Sequence, residues 1–360
     1  MKKIIIWVLL FSANGSMTPL LASERAEITM LEKRKQLSYS YTITSRDRIN
    51  IDNQFGDVRV KFWNKNVVKV DITIIANSPS EEKASSFLNL VSVSNNKEAG
   101  NVIFKTNINP SYSKFKLSNA LSKDKSKETN LRIDYVVYMP QENELNLNNS
   151  FGDVYLPEFS SVLNLNQSYG VLYADNISNG LSKVSVNFGK ANIHSMNGGD
   201  LRSNYASLNI DNASNLILNN NHGNLNIRQI TDIQGILNYS EGIIGTIKEA
   251  VKLKLNYSDD LKITKIDDKV KDVEIKCNYT TIDLPFGENF NADFDIKMTN
   301  SDLKINNERT VRFVKNTEQD AKKAGKVVQR MSNNYVGKIG TKTSDARITI
   351  VSNYGDVKIK

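Results

Sequence analysis

One phrase recurs along this chain and limits what it can fold into: apolar, any, apolar, any, any, Asn, aromatic, small, any, apolar, any, apolar. Leu216, Leu218, Asn221, His222, Gly223, Leu225 and Ile227 spell one copy, and Val184, Val186, Asn187, Phe188, Gly189, Ala191 and Ile193 another. Further copies centre on Tyr205, Tyr239, Tyr257, Tyr279, Tyr335 and Tyr354, while Phe151 and Tyr169 follow Asn149 and Gln167 by two places. From Phe151 to Tyr279 the centres are spaced roughly 17 to 22 residues apart, a period that marks a stacked repeat. Each copy holds two strands of period-two alternation around a bend, and neither strand can bury its apolar face alone. Stacking successive copies buries it.

The expected fold class is therefore all-β: a parallel β-helix, or solenoid, of about 17–22 residues per coil with an N-terminal β-rich capping region. Alternation carried along Val273, Ile275, Cys277 and Tyr279 predicts that the aromatic column Phe151, Tyr169, Phe188, Tyr205, His222, Tyr239, Tyr257, Tyr279, Tyr335 and Tyr354 lines the interior. One place earlier, Asn187, Asn204, Asn221, Asn238, Asn256, Asn278, Asn300, Asn334 and Asn353 form a candidate asparagine ladder, each amide bonding to the next copy's. That ladder accounts for much of the chain's unusual content of 46 asparagines in 360 residues.

The segments around the repeat divide the chain. Lys2 and Lys3 precede the apolar run Ile4 to Phe11, and small residues follow at Ala22 and Ser23, the pattern of an export signal over 1–23. A linker over 24–37 and a β-rich cap over 38–140 come next, with a mobile Lys/Ser loop near 111–130. The solenoid covers 141–305, a basic insertion 306–332 and the final coils 333–360. Within the cap, Pro79 to Leu90 reads as a short helix opened by Ser78 or Ser80. The apolar run near the start is too short to cross a bilayer, so no transmembrane span is expected in the mature chain. The predicted location is the periplasm or cell surface, with the periplasm favoured.

Chemistry is harder to find. With one cysteine, Cys277, and two histidines, neither a disulfide framework nor a Cys/His zinc site can be built. Asp57, Asp153 and Asp356 each follow a glycine in the repeat, as a turn requires, and are read as turn residues rather than catalytic acids. Asp259 with Asp260 and Asp267 with Asp268 are surface turn pairs, and His194 beside Ser195 points to the opposite face of its strand. No catalytic residue, cofactor or metal site is expected. Net charge falls from +8 to +6 without Lys2 and Lys3, a modest excess scattered among acids, and nucleic acid is not an expected partner.

The phrases Asn53-Gln54-Phe55-Gly56-Asp57-Val58-Arg59-Val60, Asn149-Ser150-Phe151-Gly152-Asp153-Val154-Tyr155-Leu156 and Asn353-Tyr354-Gly355-Asp356-Val357-Lys358-Ile359 resemble the phrase of the bacterial putative-adhesin β-helix family, a domain of unknown function common in Bacteroidota. Tyr135 to Pro140 resembles that family's entry into its coils. The resemblance covers about Ile49 to the end and implies a right-handed β-helix in the cell envelope. The functional expectation is a non-enzymatic envelope protein, an adhesin or macromolecule-binding scaffold, with a glycan or an envelope protein as partner. The alternatives are a periplasmic structural or regulatory component and, last, a polysaccharide-active enzyme.

Overall fold

A computed structural model describes residues 30–111, 130–316 and 332–360. The expected export signal therefore lies outside the described residues, as do most of the Lys/Ser loop and the middle of the basic insertion.

The period-two alternation forms strands wherever it is clear. In Leu145–Ser150, Leu163–Ser168 and Leu216–Asn221 every second residue is buried. The strands pair in parallel, each with the copy before and after it, in register: Leu147 lies beside Leu165, Leu165 beside Val184, Val184 beside Leu201 and Leu201 beside Leu218. A second set of parallel rows carries the other half of the phrase, through Leu172, Ala191, Leu208 and Leu225. Asn224–Asn238 and Glu241–Asn256 are long enough to belong to both sets and join them. The inward residues make one apolar core, in which each fully buried Leu, Ile or Val contributes roughly 1.5–3 kcal/mol.

The pairing changes at the ends. Leu31–Thr42 runs antiparallel to Val67–Ser78, which runs antiparallel to Asn130–Met139. Val91–Glu98 is antiparallel to Asn101–Ile108, and Asn333–Ile339 pairs antiparallel with both Ala292–Thr299 and Val311–Asn316. All of these join the parallel rows in one continuous mixed sheet of 24 strands, curled until nearly closed around the core. Ile282–Leu284, Val357–Ile359 and Leu303–Ile305 make a separate three-stranded sheet.

This finding corrects the expected fold class. The chain is all-β, but its sheet is mixed and barrel-like in its curl, so the expectation of a parallel β-helix with a distinct cap does not stand. The N-terminal strands pair directly with the parallel rows. Arg48–Gln54 lies between Asn101–Ile108 and Leu145–Ser150, and Val58–Phe62 between Asn130–Met139 and Val154–Leu156, all in parallel. The physical reason is that an exposed strand edge must be paired or covered, and both ends are covered by antiparallel strands drawn from the same sheet.

The chain also doubles back at its far end. Arg347–Asn353 lies between Asp272–Asn278 and Ala292–Thr299, so the last strands are wedged inside the stack. The expected short helix is Glu81–Asn89. Ser80 caps it by accepting from the Lys83 N–H at 3.3 Å, and Glu81 and Glu82 sit in its first turn.

Candidate binding surface

The bend in each copy is built by the aromatic residue itself. Phe151, Tyr169, Phe188, Tyr205, His222, Tyr239, Tyr257, Tyr279 and Tyr354 all have φ between 49° and 61°, as does Phe55. Left-handed backbone is costly for a residue with a side chain, and its recurrence in every row shows that the surrounding structure holds it there. The next position is small for a steric reason: a Cβ on Gly152 would lie 2.0 Å from the Gly56 carbonyl oxygen. Where Ser240, Ser258 and Thr280 take that place, the hydroxyls of Ser258 and Thr280 accept the N–H of Ser240 and Ser258 one row away, each at 3.0 Å.

The left-handed residue breaks the alternation and turns its ring outward. Phe151, Tyr169, Phe188, Tyr205, Tyr239, Tyr257, Tyr279 and Tyr354 are 46–56% exposed, and His222 is exposed as well. The expected internal column is thus corrected to an external one. Its rings stack face to face from Phe55 to Tyr354, with centroids 4.6–5.3 Å apart and planes within 10° of parallel. Phe55 was not among the residues expected in the column. Tyr335 is not in it either: it is buried in an antiparallel strand, tilted against Phe313 at 6.3 Å.

Asparagines run beside the rings. The amide of Asn204 donates to Asn187 at 2.8 Å, Asn221 to Asn204 at 3.0 Å, Asn238 to Asn221 at 2.7 Å and Asn256 to Asn238 at 2.6 Å. Asn278 continues to Asn256 at 2.8 Å and Asn353 to Asn278 at 3.0 Å. Two expected members lie elsewhere. Asn300 itself takes the left-handed bend, with Thr299 beside Asn353, and Asn334 lies opposite Lys297 in an antiparallel strand. Under the first bends a buried row, Asn53, Asn149 and Gln167, links amide to amide at 3.1 and 3.3 Å.

The turn aspartates hold successive bends together. Asp57 accepts the N–H of Asp153 at 3.0 Å, Asp153 that of Val171 at 2.9 Å, Asp259 that of Thr281 at 2.5 Å and Asp356 that of Asp302 at 3.0 Å. A hydrogen bond from Lys304 depresses the Asp356 carboxyl below its ordinary range. Asp267 accepts the N–H of Lys269 in its own turn. His194 meets Asp211 at 2.9 Å on the open surface, with Ser195 engaged in the backbone ladder beside Asn212. Cys277 is fully buried, and its thiol is pushed up to about 12 by desolvation and the Asp259 charge. Among the described residues no group of three or more His, Cys, Asp or Glu is placed to hold a metal. From the basic insertion, Arg309 donates to the carbonyls of Phe286, Gly287 and Lys360, which makes it a clamp on strand ends.

Two further parts of this surface lie outside the ring column. Arg59 lies 3.6 Å over the Tyr155 ring, which stacks on Tyr173 at 5.0 Å, making a short second platform. On the other flank Arg202, Asn219, Ile236, Lys254, Lys276, Val351 and Lys297 fall in one outward row, each three places before its bend residue, which is a ring in all but the Asn300 row of Lys297. Only the spacing from the aromatic residue could have revealed that row, because these residues are scattered among acids in the linear chain.

No family model matches the chain, and no curated protein does. Among solved structures, the chain is similar to a putative cell adhesion protein from Clostridium sporogenes, with 11% identity, 91% of this chain and 99% of that one covered, and a TM-score of 0.19. It is similar to a putative adhesin from Bacteroides fragilis, with 11% identity, 91% and 97% covered and a TM-score of 0.28. A third, a putative adhesin from Parabacteroides distasonis, has 10% identity, 91% and 97% covered and a TM-score of 0.29.

Proposed function

We propose that this chain is a non-enzymatic protein of the cell envelope that binds an extended macromolecule, a glycan chain above all, along the strip formed by the ring column and the asparagine ladder. The observation that carries the reading is the exposure of the stack: ten rings in line are roughly 45 Å long at the strand spacing of a sheet, and eight of them, from Phe151 to Tyr354, lie about half open. A contiguous, regularly spaced exposed aromatic strip suits a partner that repeats along the same axis. The non-enzymatic part of the reading draws support from Asp57, Asp153, Asp259, Asp267 and Asp356, whose carboxylates are engaged in holding bends.

The test measures binding of the full chain to a panel of immobilised neutral and acidic polysaccharides, with the Tyr239→Ala/Tyr257→Ala double variant alongside. Binding of at least one polymer, weakened tenfold or more in the variant at unchanged circular dichroism, is the expected result. Equal binding by both proteins, or no binding to any polymer, defeats the reading. Protease accessibility on intact cells, against a periplasmic control, separates surface display from the periplasm.

A further inference from the structure

We infer, resting on the proposed strip, that its ligand is a linear polyanionic glycan, one bearing a carboxylate or sulfate at regular intervals, held with its charges toward Lys254, Lys276 and Lys297.

The first argument is the geometry of the rings. Sugars and bases dock on aromatic rings through the ring faces, but within this stack each face is covered by its neighbour at 4.6–5.3 Å. What the strip offers is ring edges. The edge of an aromatic ring carries the positive part of its quadrupole, so a row of edges favours anionic over neutral groups. Base stacking on these faces is blocked in the same way, which disfavours single-stranded nucleic acid.

The second argument is the row on the flank beside the ladder. Lys254 lies directly beside Lys276, and Lys297 follows beyond Val351. All three side chains are exposed. Lys276 reaches Glu274 at 3.2 Å, whereas Lys254 and Lys297 have no ion-pair partner among the described residues. Like charges directly opposite each other on a sheet repel, and an anion lying between them removes that repulsion. Successive rows set these ammonium groups at one and two strand spacings, the scale on which charges recur along an extended acidic glycan.

The opposite border fixes where the chain lies. Beside Tyr239 and Tyr257 that border carries Glu241, Asp259 and Asp260. An anionic polymer is repelled there and attracted on the lysine side, so it follows the ladder with its uncharged face toward the ring edges. The first rows have Asn148 and Asn166 in place of lysine, so binding is strongest from the row of Tyr257, through Tyr279 and Tyr354, to that of Asn300.

The deciding experiment compares polygalacturonate with its fully methyl-esterified form at equal chain length, for the full chain and for the Lys254→Gln/Lys276→Gln/Lys297→Gln variant. Expected are binding of the acid form, weak binding of the ester, affinity that falls as salt rises, and about a tenfold loss in the triple variant. Equal binding of acid and ester overturns the inference while leaving the strip reading intact. Binding of neither polymer overturns the inference, and the strip reading then stands or falls on the polysaccharide panel. Tighter, lysine-dependent binding of phosphatidylglycerol vesicles or single-stranded DNA overturns it in favour of those partners. Lys262→Gln, on the far flank, is the control and leaves affinity unchanged.

Discussion

At the scale of single residues, the bend is where steric tolerance is lowest. Gly152→Ala places a methyl group on the Gly56 carbonyl and should cost roughly 2–3 kcal/mol, whereas Gly180→Ala, with open space around its Cβ, should be near neutral. Thermal melts of the two variants check the contrast. Asn238→Ala removes one bond given to Asn221 and one accepted from Asn256, and should cost about 1–2 kcal/mol in a denaturant titration. The buried acids set the alkaline limit. Burial raises the Cys277 thiol from an ordinary 9.0 and the Tyr135 phenol from 10.0, both to about 12. In each case the unfolded chain ionises first, so the stability these groups confer is complete below about pH 9 and is lost as pH climbs from 9 to 12. Unfolding free energies across that window test the sign. A thiol reagent at pH 8 should label Cys277 only after denaturant is added.

At the scale of the strand, the alternation is legible where the backbone stays extended and misleading where it does not. Val273, Ile275 and Cys277 point inward as their parity predicts, yet Tyr279, two places further, points outward because its own φ of 50° resets the phase. A parity count cannot see a dihedral change, so the column and its spacing were readable while its side of the wall was not. Tyr335 and Asn334 fit the sequence phrase but lie in an antiparallel strand. Their neighbours in space, Phe313 and Lys297, come from segments that the period does not relate. The order of the last strands was equally hidden, since nothing local marks Arg347–Asn353 as an insertion between Asp272–Asn278 and Ala292–Thr299. Deleting residues 345–360 should therefore strip hydrogen-exchange protection from both of those neighbours, interior strands included, and leave Leu163–Ser168 protected.

At the scale of the whole molecule, closure at both ends depends on contacts far apart in sequence. Asn53 meets Asn149 across 96 residues and Asn353 meets Asn278 across 75. Long-range closure makes refolding slow, on the order of seconds, and refolding already complete within the dead time of a stopped-flow experiment would contradict it. The ring column has an optical meaning too. Tyrosines held parallel at about 5 Å are close enough to pass electronic excitation from one to the next. Light absorbed at Tyr239 can thus be emitted from Tyr354, and because the rings lie parallel the emission of the column should keep its polarisation despite the transfer. A polymer lying on the strip would quench the whole run of chromophores as a unit, giving the protein a built-in reporter of its own occupancy.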